Sequence, residues 1–233
     1  MIKVNDLSLS LSGRDILKNI CFTLEEDSSL VISGPSGSGK TKLLESLAGQ
    51  EYSYTGSINI DGKSIEDHGD DLYDTLGYIG NFWLDNNFSE NMIYDLVFGL
   101  EIQNIAPAEI KNRLDKLIED YRLDKLLNTE PSNLSGGEKQ LVNICSTIIK
   151  EPKVLLMDDS MTLIDKDVKK IIFDRVIKNK SCTSVFISKN IDDISNFDKI
   201  LFLDKGELCY FGDTSIFIKS HRDKLVESGM AIK

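Results

Sequence analysis

Apolar and polar residues alternate along residues 2–11 and again along residues 20–24. Alternation with a period of two predicts strands that have one buried face. The run Ser-Gly-Arg-Asp at residues 12–15 supplies turn-forming residues between the two segments. The start of the chain is therefore predicted to be an antiparallel hairpin.

Further along, the apolar residues form short continuous runs, which are typical of strands that are buried on both faces of a sheet. These runs lie at residues 30–32, 76–79, 153–157, 183–187 and 200–203. Helical patterns occur between several of them, for example at residues 42–48 and 167–178. This alternation of strands and helices predicts an α/β core with a parallel sheet.

Residues 89–150 interrupt that alternation with a pattern that is helical only. Pro107 stands at a predicted helix start, and Ile110, Leu114 and Leu117 follow it at helical spacing. We therefore predict one domain in four parts. The core and a β-subdomain occupy residues 1–81 and 150–213, a helical subdomain occupies residues 82–149, and a C-terminal tail occupies residues 214–233.

Composition narrows the class of protein. The chain has 233 residues, of which 41% are hydrophobic, enough for one sizeable core. Its 27 basic and 38 acidic residues give a net charge of -11, which argues against binding to nucleic acid or to anionic lipid. No apolar run is long enough to cross a membrane, and the four cysteines lack the spacing of a zinc site. We expect a cytoplasmic protein that reaches a membrane only through a protein partner.

The first stretch with chemical character is Gly-Pro-Ser-Gly-Ser-Gly-Lys-Thr at residues 34–41, between a predicted strand and a predicted helix. Glycines let the backbone bend so that its amide groups point inward, and the helix start adds unpaired donors. A polyphosphate fits such a loop, with Lys40 at the outer phosphates and the Thr41 hydroxyl on Mg²⁺. The predicted nucleotide ligands in this loop are Gly34, Ser36, Gly37, Ser38, Gly39, Lys40 and Thr41.

The second stretch is Leu-Ser-Gly-Gly-Glu at residues 134–138. Ser135 and Glu138 have the spacing of a capping box, which is a purely structural alternative. That alternative leaves Gly136 and Gly137 unexplained, since each costs about 1 kcal/mol in a helix relative to alanine. We expect a phosphate to approach this backbone closely. Because the chain already has one phosphate loop, the nucleotide at this helix start is expected to belong to a second subunit.

The third stretch is an apolar strand that ends in Asp158 and Asp159. Ligands of α/β sheets lie at the carboxyl ends of the strands. Asp158 is therefore a candidate to hold Mg²⁺, and Asp159 is a candidate to orient or deprotonate an attacking water. The alternative is a plain acidic turn at the end of a strand.

Together these stretches resemble the ATP-binding cassette family over the full chain. Residues 34–41 are similar to its phosphate loop, residues 134–138 to its signature and residues 154–159 to its acidic strand, with Asp165 in the loop that follows. The run Phe-Gly-Leu-Glu at residues 98–101 is similar to the nucleotide-binding subunits of energy-coupling factor importers of vitamins and metal ions. The resemblance implies a RecA-like P-loop NTPase core with an antiparallel β-subdomain and a helical subdomain.

Four positions depart from the pattern of that family. Asp159 stands where the family has a glutamate base, and Lys189 replaces the switch histidine. Asn81 replaces a glutamine that reaches toward Mg²⁺ and the lytic water, and Leu11 occupies the position of an aromatic residue that stacks on adenine. A base that is shorter by one methylene predicts slow hydrolysis, because a misplacement of about 1 Å can cost about 100-fold in rate.

The resemblance implies that two ATP-binding subunits pair and attach to a transmembrane subunit at the inner face of the cell membrane. Since the departures affect only the chain's own nucleotide, we expect a heterodimer rather than a homodimer. Two alternatives remain. One is an ATP-sensing regulatory subunit without useful turnover. The other is a soluble nucleotide kinase, which has no use for residues 135–137.

Two further features are open at this stage. An aromatic and apolar cluster after Asn81 is either core packing or a docking surface for the membrane subunit. Its members are Phe82, Trp83, Leu84 and Phe88. His68 and His221 have no ligand-spaced partners, and both are expected at the surface.

Overall fold

One ten-stranded sheet runs through the protein in the order β5-β4-β1-β2-β10-β9-β3-β8-β7-β6. The computed structural model describes residues 1–80 and 92–221. The strands are β1 Ile2–Leu11, β2 Arg14–Leu24, β3 Ser29–Ser33, β4 Tyr54–Ile60, β5 Lys63–Ser64, β6 Leu76–Ile79, β7 Val154–Asp158, β8 Thr183–Ile187, β9 Lys199–Asp204 and β10 Glu207–Asp213.

The central strands β9, β3, β8, β7 and β6 are parallel, as the continuous apolar runs predict. Their residues alternate between two hydrophobic clusters, one on each face of the sheet. Val31 and Phe186 belong to the cluster on the side of helices α4 to α8, while Leu30, Ile32 and Val185 belong to the cluster beside α1. The predicted α/β class is confirmed.

The other half of the sheet is antiparallel. Strands β1 and β2 form the predicted hairpin, and β4 pairs with the outer side of β1. A single parallel bridge between Glu207 and Lys18 joins this half to the core through β10 and β2. Thus the antiparallel part continues the core sheet instead of lying apart from it.

Helices lie on both faces of the sheet. They are α1 Lys40–Leu47, α2 Ile65–His68, α3 Leu72–Thr75, α4 Met92–Ile102, α5 Pro107–Tyr121, α6 Asp124–Leu127, α7 Gly136–Ile148, α8 Lys166–Ile172, α9 Ile191–Ile194 and α10 Thr214–Ser220. A π-helical segment, Phe173–Lys178, continues α8. Among the residues described, no helix combines the length and the apolar character that crossing a membrane requires. The proposed subdomain boundaries stay a prediction.

One expectation about the surface is wrong. His68 is only 6% exposed, and its Nε2 lies 2.8 Å from the carbonyl oxygen of Ile60 at the end of β4. The ring is buried because α2 folds back on that strand. His221 keeps an intermediate exposure and stacks on Phe217.

Candidate functional site

The carboxyl ends of three neighbouring strands bring the predicted site residues together. Ile187 at the end of β8 pairs with Ile32 of β3 on one side and with Asp158 of β7 on the other. The phosphate loop follows β3, Lys189 follows β8, and Asp159 follows β7. Because the strands are parallel and in register, these segments meet at one edge of the sheet.

The phosphate loop needs glycine for steric reasons as well as for its bend. Gly39, the residue before α1, has φ 101°, and a Cβ there would lie 2.8 Å from the carbonyl oxygen of Ile16. A Cβ on Gly34 would collide with the carbonyl oxygen of Leu203. The loop is thus packed between β2 and the end of β9, where an ordinary side chain has no room.

Helix α1 begins without a side-chain cap, since Gly39 supplies none. Its first amide groups therefore stay available for a phosphate, which the positive end of the helix also attracts. The turn between β9 and β10 supports the loop from behind, because the Gly206 amide donates to the carbonyl oxygen of Ser38 at 3.2 Å. No sequence signal marked Gly206 as part of the site.

Lys40, which is predicted to bind the outer phosphates, is only 6% exposed. Its Nζ donates to the carbonyl oxygens of Gly34 at 2.9 Å and Pro35 at 2.6 Å. Burial, and next the charge of Lys189, lower the pKa of Lys40 to about 8, while Asp158 and Asp159 oppose the shift. A phosphate would offer this ammonium a stronger partner than neutral carbonyls do.

Asp158 is almost completely buried, and its Oδ2 has no hydrogen bond to any residue that the structure describes. Burial raises the pKa of Asp158, while the neighbouring Thr41 hydroxyl opposes that rise. A carboxylate oxygen without a partner, next to a threonine hydroxyl, fits the oxygen ligands that Mg²⁺ prefers. Thr41 and Asp158 would hold the ion, which when bound neutralises charge on the outer phosphates.

Asp159 has an unusual backbone conformation, with φ 47°. Its Oδ1 accepts a hydrogen bond of 2.9 Å from the Thr162 hydroxyl, in the loop that leads to α8. The carboxylate is therefore already engaged within its own loop. This hydrogen bond fixes the orientation of the Asp159 carboxylate, which is the candidate base.

Lys189 reaches across to the phosphate loop, where its Nζ donates to the Ser36 hydroxyl at 3.1 Å. Two hydrogen bonds fix the backbone of the segment that carries Lys189. The Ser33 hydroxyl donates to the carbonyl oxygen of Ser188 at 2.8 Å, and the Ser188 hydroxyl accepts from the Asn190 amide at 3.1 Å. Lys189 thus places a second cation at the loop that already contains Lys40.

The signature residues form the start of helix α7. The capping box between Ser135 and Glu138 is present in both directions, so the structural interpretation of these two residues is correct. Gly137 also has a reason within its own chain, because a Cβ there would collide with the carbonyl oxygen of Leu163. The packing of the chain against itself is therefore enough to require this glycine, and close approach of a phosphate stays a prediction.

Ser135, Gly136 and Gly137 line a cleft of about 420 Å³ together with Leu163 and Asp165. None of the residues that line this cleft belongs to the phosphate loop of the same chain. Asp165 precedes α8 and makes no side-chain capping bond to it. The signature and the loop after the acidic strand thus share one surface.

The remaining predicted positions are less informative. Leu11 is the last residue of β1 and pairs with Arg14 of β2. Its side chain is partly buried and packs against the hydrophobic cluster that contains Leu30 and Ile32. Its position toward adenine stays a prediction. Asn81 lies outside the described residues. The same holds for the cluster of Phe82, Trp83, Leu84 and Phe88.

Ser160 is a site residue that sequence reasoning missed. It is buried, and its hydroxyl lies 3.1 Å from the carbonyl oxygens of both Ile79 and Asp158. It therefore joins the end of β6, where the segment with Asn81 begins, to the acidic turn after β7. A small polar residue directly after two aspartates was a possible signal, but Ile79, the partner that joins it to β6, is 81 residues away in sequence.

Comparison with known proteins decides the family. A family model described as ABC transporter matches residues 17–162, which include the phosphate loop, the signature and both aspartates. The chain belongs to the ABC transporter family. It is an ABC ATPase subunit, and its sheet and helices form the RecA-like fold of the ABC ATPases.

Individual relatives agree with this placement. An energy-coupling factor transporter ATP-binding protein from Oceanobacillus iheyensis is 30% identical over 226 residues, covering 94% of this chain and 80% of that protein. The structure of cbiO1 from Clostridium perfringens, part of the ABC transporter complex cbiONQ, has a TM-score of 0.83 at 22% identity, covering 97% of this chain and 92% of the other. A dimeric ATP-binding cassette in a post-hydrolysis state, bound to ADP and Pi, has a TM-score of 0.79 at 21% identity. The match covers 92% of this chain and 99% of the other.

Proposed function

We propose that this chain is the ATP-binding motor subunit of an energy-coupling factor type transporter that imports a vitamin or a metal ion. The similarity to an energy-coupling factor ATP-binding protein supports the type of transporter. The geometry of the phosphate loop, with Lys40, Thr41 and Asp158 around it, supports binding of magnesium-ATP. Attachment to the inner face of the membrane is then provided by a transmembrane subunit.

The composite site on the chain's own nucleotide is proposed to be slow. Asp159 is one methylene shorter than glutamate, and its carboxylate is engaged by Thr162. The ammonium group of a lysine such as Lys189 has hydrogen-bond donors only and no acceptor, unlike the ring of a histidine. It holds a terminal phosphate by charge without helping it to leave.

The observation that carries this proposal is the contact between Lys189 and Ser36. This contact supports the proposal because Lys189, at the position where the family resemblance implies a histidine, donates directly to the phosphate loop. The start of α7, in contrast, keeps Ser135, Gly136 and Gly137 with an intact capping box. The residues that act on the chain's own nucleotide are altered, whereas those that serve a partner's nucleotide are retained.

A heterodimer follows from this asymmetry. In our proposal, the α7 start of this chain completes a site on the phosphate loop of a second ABC ATPase subunit, and hydrolysis takes place there. The cleft beside Ser135 contains no phosphate-loop residue of its own chain, which supports use by a partner. The neighbour bound to ADP and Pi is itself dimeric, which supports pairing of two ATP-binding subunits in our proposal.

A regulatory subunit that binds ATP without useful turnover is the second candidate. The engagement of Asp159 by Thr162 favours it, since a base that is held elsewhere does not activate water. Steady-state ATPase activity of the isolated chain, and of the chain with its co-purified subunits, tests both ideas. The motor proposal requires turnover in the complex that depends on this chain. A complex that turns over equally well with Ser135→Arg favours the regulatory role.

A further inference from the structure

One cavity in the described part of the chain lies far from the phosphate loop. It has a volume of about 440 Å³ and lies between helix α5, the π-helical segment after α8, and the starts of β7 and β8. Leu155 of β7 lines it, together with Pro152 just before β7 and Cys182 just before β8. Asp158 stands at the opposite end of β7, so this cavity is separate from the nucleotide site.

The floor of the cavity is apolar. Leu117 and Tyr121 of α5 face it together with Leu155, Val176 and Cys182, and all five side chains are buried in the fold. A volume of this order falls within the range of roughly 300–1,000 Å³ in which small-molecule sites are found. The floor therefore suits the hydrocarbon part of a small ligand.

One polar group on this floor has no partner. Tyr121 is only 4% exposed, yet its hydroxyl makes no hydrogen bond to any of the described residues. Burial raises the pKa of Tyr121, so the hydroxyl is protonated at neutral pH and is a hydrogen-bond donor. The hydroxyl oxygen itself is not fully enclosed, so it is accessible from the cavity and can donate to a ligand acceptor there.

The rim of the cavity is cationic in a chain that is acidic overall. Arg113, Lys116 and Arg175 line it against Asp120 and Glu151. Arg175 is paired with Asp120 at 2.7 Å, and Arg113 is paired with Glu151 at 3.2 Å. That leaves the ammonium of Lys116 as a cation without an ion-pair partner among the residues described. One uncommitted positive charge matches one negative charge on a ligand.

From these features we propose that the cavity between α5 and the π-helical segment binds a small amphipathic carboxylate. Its hydrocarbon part packs on Leu117, Leu155 and Val176. Its carboxylate pairs with Lys116 at the rim and accepts a hydrogen bond from the Tyr121 hydroxyl. Such a ligand joins α5 to the core at a position that is otherwise connected by the Arg175–Asp120 ion pair.

Isothermal titration of the full chain with decanoate tests the proposal. Saturable binding at one site is expected, with decyltrimethylammonium, which has the opposite charge, failing to bind. Lys116→Glu is expected to weaken decanoate about tenfold or more, and Tyr121→Phe about fivefold. Tyr121→Phe breaks no hydrogen bond between described residues, so the fold is expected to tolerate it.

Two control variants show whether binding depends on this cavity. Lys111→Glu changes the net charge of the same helix equally but lies outside the cavity lining, and it is expected to bind decanoate as the wild type does. Lys40→Ala is also expected to bind normally, which excludes a carboxylate in the phosphate loop. The proposal is overturned if decanoate shows no saturable binding. Wild-type affinity in both Lys116→Glu and Tyr121→Phe overturns it as well.

Discussion

The Nζ of Lys189 donates a hydrogen bond of 3.1 Å to the hydroxyl of Ser36, so the segment that follows β8 contacts the phosphate loop directly. Lys40, in the same loop, is buried and has a pKa lowered to about 8 by burial and then by Lys189. The two ammonium groups repel each other until an anion lies between them. We propose that a terminal phosphate provides that anion, in which case its binding is coupled to the protonation of Lys40.

The first prediction concerns pH. Lys40 is protonated below about pH 8 and becomes neutral as the pH rises above that value in the nucleotide-free protein. Because a phosphate favours the charged form, ATP affinity is expected to be full near pH 7 and to fall as the pH rises through about 8. Calorimetry at pH 8.5 in buffers of different ionisation enthalpy should show proton uptake on binding.

Lys189→Met provides the matched variant for this experiment. Removing the neighbouring cation takes away the second-largest cause of the lowered pKa, so the fall in affinity should move to higher pH. An affinity that is constant between pH 7 and pH 9, with no proton uptake, contradicts the coupling.

A second prediction concerns the loop itself. Lys40→Ala removes the cation that would bind the outer phosphates, and a hydrogen bond to a charged group contributes about 1.5–3 kcal/mol. Magnesium-ATP affinity should therefore fall at least about tenfold in calorimetric titration. Lys42→Ala is the control, since Lys42 lies on the same helix and pairs with Glu45. Equal affinity of wild type and Lys40→Ala would remove the phosphate loop from the mechanism.

Ser160 gives a third prediction. Ser160→Ala removes the hydroxyl that joins the carbonyl oxygens of Ile79 and Asp158, and we expect a loss of about 1 kcal/mol in the free energy of unfolding. The dependence of ATP binding on Mg²⁺ should also shift to higher Mg²⁺ concentration, because the acidic turn is less firmly placed. Denaturant unfolding and Mg²⁺ titrations measure the two effects.

Ser195→Ala is the matched control for Ser160. The Ser195 hydroxyl also donates to a backbone carbonyl, that of Asp192, but at the exposed end of α9. Ser195→Ala should therefore leave the free energy of unfolding and the Mg²⁺ dependence of ATP binding close to the wild-type values. A Mg²⁺ dependence that is unchanged in Ser160→Ala would show that the residue only stabilises the fold.

Local patterns predicted most of this fold, because strand alternation, apolar runs and the phosphate loop are each encoded within a few neighbouring residues. The errors arose where a contact depends on how the chain folds back on itself, whether the partner is 8 residues away, as for His68, or 81 residues away, as for Ser160. His68 is buried because its ring meets Ile60 of β4, and Ser160 is a site residue because it contacts Ile79. The pattern around each residue contains no trace of that partner, so only the tertiary structure shows it.

The same limit applies to Gly137. Two glycines at a helix start indicated close approach by a phosphate, and the structure adds the carbonyl of Leu163 as a neighbour within the chain. Sequence alone does not separate a glycine that makes room for a ligand from one that makes room for its own backbone. Substitutions that add bulk toward the solvent side, rather than toward Leu163, are therefore the better test of the signature.

The last prediction asks which composite site turns over. Asp159→Asn changes a candidate base that is already shortened and engaged by Thr162. Turnover of the assembled complex should therefore stay within about twofold of the wild type. Misplacing a working base, in contrast, can cost about 100-fold in rate. Ser135→Arg places a bulky side chain at the start of α7, where we propose the partner's terminal phosphate binds. It should abolish turnover.

Because Ser135→Arg also breaks the capping box, its effect must be separated from a loss of helix stability, which is about 1 kcal/mol for a lost cap. Glu138→Ala breaks the same box from its other end without adding bulk, so it should be destabilised similarly and yet keep most of the turnover. If the isolated chain hydrolyses ATP as fast as the complex, the asymmetric heterodimer is excluded. A complex that is silenced by Asp159→Asn but not by Ser135→Arg excludes it too, because hydrolysis would then depend on this chain's own base.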